Sequence, residues 1–167
     1  MKSPLITAAM TACVCLFATA HADEKDTLNA YDVKFMKSAG QSSLNETKLA
    51  ELGSQKAFNQ EVKMLAATLV NDHTAILAEA KQLAEKKGIS LSASIDEKTA
   101  DTFKELEKKS GEDFDTAFVK HMDDGHIKSI KSYEEAQKEV KDVDVKAWVD
   151  KTVVIIKKHH EKIKKLK

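Results

Sequence analysis

Four residues place metal-ligating or proton-exchanging side chains where the sequence pattern calls for apolar ones: Glu46, His73, His126 and His159. His73 interrupts the series Val62, Leu65, Leu69, Ile76, Ala80 and Leu83, which alternates steps of three and four as one face of a helix does. His126 stands among Phe114, Phe118, Met122, Ile130 and Tyr133, and His159 among Val145, Trp148, Thr152, Ile155 and Ile163. Glu46 follows Tyr31, Phe35 and Ala39 and precedes Leu49 and Leu52. An unpaired polar group in an apolar interior costs roughly 2–7 kcal/mol. Four of them would match the whole net stability of a typical domain, about 5–15 kcal/mol. If these side chains are buried, they have partners. One arrangement is a metal ion: three imidazoles and a carboxylate suit zinc, iron, copper or nickel and suit calcium or magnesium poorly. A second is a closed Glu–His–water hydrogen-bond network, and a third is that the side chains sit at wet stripe edges and never converge.

Other ionisable residues fit supporting roles. His160 follows His159 and points about 100° away from it, which suits a rim position and makes it the substitute ligand should the helix be rotated. Asp72 precedes His73 and is placed to orient it or to cap a neighbouring helix. Asp123, three residues before His126, can face the same site. Asp115, in the first turn of its helix, reads as a structural acceptor favoured by the helix dipole. His121 and Asp124 read as solvent-facing. Met64 and Met122 are isolated and read as packing residues rather than a copper-binding cluster. The chain has no Gly-rich phosphate loop, no Gly-x-Ser-x-Gly and no His-Glu-x-x-His.

The elements that would carry these residues are long helices. The only proline is Pro4, and Ala, Leu, Lys and Glu dominate. The first helix is expected from about Asp26 to Ala57, with Asp26 as N-cap and Gly40 and Gly53 as weak points. The second starts after the N-cap Asn59 and ends at Gly88. A connection from about Ile89 to Ser110 carries a short helix near Asp96 to Lys109. The third long helix opens after Ser110, with Asp113 completing the cap signature, and Asp142 or Asp144 caps the fourth. The expected fold is all-α, a ferritin-like four-helix bundle with short hairpin turns and a short extra helix in the long connection between the pairs.

Helix rise sets depth. Glu46 and His73 fall about 18 and 21 Å from the first hairpin turn. His126 and His159 fall about 24 and 25 Å from the starts of their own helices. All four lie near mid-height, so contact among them is geometrically open.

The N-terminus bears on compartment. Lys2, an apolar run from Leu5 to about Ala20, and Ala20-His21-Ala22 read as a signal peptide cleaved after Ala22. Residues 1–22 are then a removed segment, residues 23–167 one bundle domain, and the destination periplasmic or otherwise exported. Cys13 and Cys15 fall in the removed segment, leaving no disulfide. The apolar run is too short for a spanning helix of about 20 residues, so no transmembrane anchor is expected in the mature chain. All 27 basic residues are lysine, balanced by 27 acidic ones. With no arginine for bidentate phosphate contacts, nucleic acid is a poor partner. The lysines from Lys157 to Lys167 read as a solvated, dipole-complementing helix end.

Asn71-Asp72-His73, the run Ser110-Gly111-Glu112-Asp113-Phe114-Asp115, His126 and His159 together resemble the bacterial exported family catalogued as domain of unknown function 4142, from about Phe35 to Lys165. The resemblance implies a ferritin-like fold, an envelope location (the family is often labelled an outer membrane protein) and functional positions at Glu46 and the three histidines. The chain departs from the family pattern at Val153-Val154, where Leu-Pro is usual, and at Gly125, where an acidic residue is common. Ferritin-like di-iron proteins use Glu-x-x-His pairs. Here Val70 precedes His73 and Ile156 precedes His159 by three, and only Asp123 before His126 approaches the pattern. The expectation is therefore a single, His-rich transition-metal site in a non-catalytic protein. The alternative is an envelope structural or interaction module, with an envelope protein partner or as a homodimer, whose central residues form a metal-free network.

Overall fold

The computed structural model describes residues 28–167. The signal-peptide reading, both cysteines and the expected cap Asp26 lie outside the described residues. Five helices follow in order: α1 (Ala30–Lys56), α2 (Gln60–Lys86), α3 (Glu97–Glu107), α4 (Gly111–Glu139) and α5 (Val143–Lys164). The chain folds as an all-helical four-helix bundle, as the sequence pattern predicts. Helices α1 and α2 pair as one hairpin and α4 and α5 as another, with α2 against α5 and α1 against α4 across the bundle. The short α3 lies against α1 and α4. No described helix is long and apolar enough to cross a membrane.

Within the described residues, local chemistry sets the helix ends. α1 is capped by Asn29, whose side chain accepts from Asp32 N at 2.9 Å while Asp32 accepts from Asn29 N at 3.2 Å. Asn59, Asp96 and Asp142 cap α2, α3 and α5 through their side chains. Gly88 sits at φ +69° past the end of α2, and Ile89 N donates back to Ala84 O at 2.8 Å, so the exposed carbonyls of the last turn are satisfied. Ser110 is the N-cap residue of α4, but its side chain makes no cap bond, and Gly111 beside it has φ +58°.

The two hairpin turns are pinned from across the bundle. Asp115, in the first turns of α4, accepts from Phe58 N at 3.0 Å and Asn59 N at 2.6 Å in the α1–α2 turn. Asp32, in the first turn of α1, accepts from Lys141 N and Asp142 N, both at 3.1 Å, in the α4–α5 turn. Asp115 is thus the structural acceptor its position suggests. The spacing from Asp32 to Asp115 equals that from Asn59 to Asp142, so the two hairpins are built on one plan.

The core is two apolar clusters. One gathers Phe35, Met36, Ile76, Ala80, Tyr133, Trp148 and Ile156. The other gathers Leu49, Leu65, Leu69, Phe114, Phe118, Met122 and Ile163. Each large side chain buried this way contributes about 1.5–3 kcal/mol. Gly53 lets the second cluster close: a Cβ there would stand 2.5 Å from Phe118 Cζ. On every long helix the polar residue falls between the clusters: Glu46 between Ala39 and Leu49, His73 between Leu69 and Ile76, His126 between Met122 and Tyr133, and His159 between Ile156 and Ile163.

Removing a pin leaves buried N–H groups without acceptors, at about 1–3 kcal/mol per buried group left unpaired. Asp32→Ala is expected to lower the unfolding free energy by at least about 2 kcal/mol, and more than Asp115→Ala, because Asp32 is fully buried and also accepts from Asn29 N. Urea denaturation of the two variants checks the order.

Candidate metal centre

His73, His126 and His159 meet between the two apolar clusters. Each offers one ring nitrogen, and these three atoms all lie within 4.8 Å of one another. The ring centroids are 5.2 Å apart for His73 and His159 and 5.6 Å for the other two pairs. All three side chains are closed off, at 4%, 1% and 1% exposure for His73, His126 and His159. Three buried histidines so placed can hold a metal ion.

The nitrogens facing away from the centre of the group are tied down on two of the rings. His126 Nδ1 lies 2.8 Å from Met122 O, one helical turn earlier on α4. Because a carbonyl only accepts, His126 carries its proton on Nδ1 and presents the Nε2 lone pair. His159 Nε2 lies 2.7 Å from Asp72 Oδ2 on α2, so His159 donates there and presents Nδ1. A ligating histidine is ordinarily oriented by such a bond to a carbonyl or carboxylate through its other nitrogen. His126 Nε2, His159 Nδ1 and both nitrogens of His73 are buried with no hydrogen-bond partner in the protein.

Electrostatics keeps these rings uncharged. Burial lowers the pKa of His73 well below the ordinary histidine value, with help from His126 and His159. Burial lowers His126 to about 4, opposed in part by the bond to Met122 O. His159 is also lowered by burial, with Asp72 pulling the other way. Neutral imidazole is the form that ligates.

Glu46 is buried beside the group but stands outside the set of nitrogens within 4.8 Å. Its carboxyl occupies space that a side chain at position 125 would fill: a Cβ on Gly125 would lie 2.7 Å from Glu46 Oε1. Oε2 has no partner in the protein. Burial raises the Glu46 pKa to about 8, so the side chain is a neutral carboxylic acid at neutral pH.

The neighbouring residues differ from the sequence expectation in instructive ways. Asp72 orients His159 across the α2–α5 seam instead of its own neighbour His73. Successive residues on a helix point about 100° apart, so Asp72 faces the next helix while His73 faces the interior. Asp123 turns away from His126: its Oδ1 accepts from His160 Nε2 at 3.1 Å and its Oδ2 from Lys167 Nζ at 2.7 Å. His160 is accordingly a rim residue and His159 the inner one. His121, expected in solvent, is half-buried in the groove between α3 and α4, beside Thr102 and Glu105. Asp124 is exposed and pairs with Lys120 at 2.7 Å. Its sequence position marks Asp72 as an orienting carboxylate, and what the sequence does not show is that the ring it orients is His159.

The crystal structure of a DUF305 fragment from Deinococcus radiodurans is similar, with a TM-score of 0.74 and 13% sequence identity, over 83% of this chain and 96% of that one. At that identity the likeness is one of fold alone. No curated protein matches the chain. The family model described as Domain of unknown function (DUF4142) matches residues 17–166. With nearly its whole length matched, the chain belongs to the DUF4142 family.

Proposed function

We propose that this protein is an exported, non-catalytic helical bundle that binds one transition-metal ion, of the zinc, iron, copper or nickel class, through His73, His126 and His159, with Glu46 as the carboxyl beside them, in a metal or envelope stress role. One observation carries the reading: three neutral histidines converge within ligating range, and two are oriented by bonds through their far nitrogens. A set of imidazoles with one carboxyl favours these metals over calcium or magnesium. The Glu-x-x-His pairs of di-iron centres are missing, which points to one ion instead of two. Export rests on the N-terminal signal pattern. The metal-free alternative, a polar lock within an envelope module, accounts for the Asp72–His159 and His126–Met122 bonds but leaves both nitrogens of His73 without a protein partner.

Untagged protein purified from the periplasm is expected to carry about one equivalent of transition metal. Free ion at about a hundred times its Kd adds about 2.7 kcal/mol, enough to raise Tm by about 5–10 °C. His73→Leu combined with His126→Leu should abolish both effects. Less than about a tenth of an equivalent, with no Tm rise on adding zinc, copper, iron or nickel, would sink the proposal.

Glu46 supplies a pH test. Its folded pKa of about 8 lies above the ordinary 4.5, so the folded state holds this proton when the unfolded chain has lost it. That contribution to stability is intact below pH 4.5 and is lost as pH rises toward 8. Glu46→Gln keeps the shape and does not titrate. In metal-free protein its Tm should match wild type near pH 4.5 and exceed it increasingly up to pH 8. A pH-independent difference would contradict the buried, protonated state.

A further inference from the structure

An ion reaches the three histidines only through the wall of the bundle, and the groups around them are unequal in what they offer a cation. Met122 O is locked in the α4 backbone and bonded to His126. Glu46 is buried against Gly125. Asp123 and His160 lie on the α4–α5 side, but Lys167 Nζ sits 2.7 Å from that carboxylate and meets any approaching cation with like charge. Asp72 is different: its side chain is 43% exposed, and its Oδ2 is 2.7 Å from Nε2 of the buried His159. Of these groups it alone has one end in solvent and the other on a ligand ring.

The seam that holds Asp72 is joined above it by exposed ion pairs. Going along α2 by steps of seven, Asp72 meets His159, Glu79 meets Lys151 at 2.6 Å, and Lys86 meets Asp144 at 2.6 Å, all on α5. The Glu79–Lys151 and Lys86–Asp144 side chains are all more than a third exposed, and such pairs contribute only about 0–1 kcal/mol each. These exposed pairs add little to the seam, which is held by the apolar cluster that includes Ile76, Ala80, Val149 and Ile156 and by the buried pair Lys87–Asp142 at 2.6 Å, so entry at Asp72 rests on movement of the His159 side chain.

Building on the metal reading above, we propose that Asp72 is the uptake residue of the centre: its carboxylate captures a divalent cation at the α2–α5 surface and passes it inward as the His159 ring swings away from the bond that holds it. Capture by an exposed negative charge is long-range and screened by salt, whereas merely orienting His159 is neither.

Stopped-flow loading of metal-free protein with cobalt(II), followed by its absorption bands, tests this. Wild type is expected to take up one equivalent, more slowly as ionic strength rises. Asp72→Asn retains an acceptor for His159 but no charge. It is expected to reach the same occupancy about ten times more slowly at low salt, with little salt dependence. Asp72→Glu should restore the rate, and Asp123→Asn should load as wild type does. Asp72→Asn loading at the wild-type rate overturns the uptake role, as does a loss of final occupancy in that variant without a change in initial rate. So does an equal slowing in Asp123→Asn. Wild type that binds no cobalt overturns the metal reading and this inference with it.

Discussion

Three imidazoles in a buried interior are the constraint around which this bundle is organised. Each is held uncharged, because burial penalises the protonated form, and two of the three are oriented by a hydrogen bond through one ring nitrogen. The core answers by splitting. Apolar clusters above and below carry the packing, and the layer between carries His73, His126, His159 and Glu46. The long helices hold this layer at mid-height, far from the fraying ends.

The orienting bonds make the centre asymmetric. His126 is fixed by its own helix through Met122 O, so its pose is secured as soon as α4 forms. His159 is fixed by Asp72 on another helix, so its pose depends on how α2 and α5 dock. His73 has neither constraint and is positioned by packing against the other two rings. With neutral rings and a protonated Glu46, the carboxylate bonded to one of the three rings is the half-exposed Asp72. A bound cation would therefore draw its charge compensation from the bundle surface or from the Glu46 proton leaving.

Much of this was legible in the sequence because it depends on periodicity and counting. The stripes located the helices, and the rise per residue put Glu46 and the three histidines at one level. What escaped depends on rotation about helix axes and on crossing geometry. Asp72 and Asp123 lie one and three residues from the inward histidines His73 and His126, yet their partners, His159 and His160, are 87 and 37 residues away. No local pattern encodes that choice; it is made when α5 docks. Glu46 is buried between the two clusters, and its place against Gly125 depends on the α1–α4 contact, which no count along one helix shows. The glycine itself was the trace in the sequence, a gap in α4 where a neighbouring side chain fits. Burial adds Ile156 to the expected face of α5 and leaves Ile155 at its partly buried edge, because a packed helix face is wider than a single stripe.

The crossed carboxylates at the two turns bear on how the chain reaches this state. Either hairpin can assemble from local contacts, but neither turn is locked until the other hairpin arrives, since Asp32 is 109 and 110 residues from the amides it accepts and Asp115 is 57 and 56 residues from its own. Local assembly is fast and long-range closure slow. The bonds that fasten each half therefore form only on joining. This ties the two halves into one cooperative unit, because the turn of each hairpin is fastened only by the other.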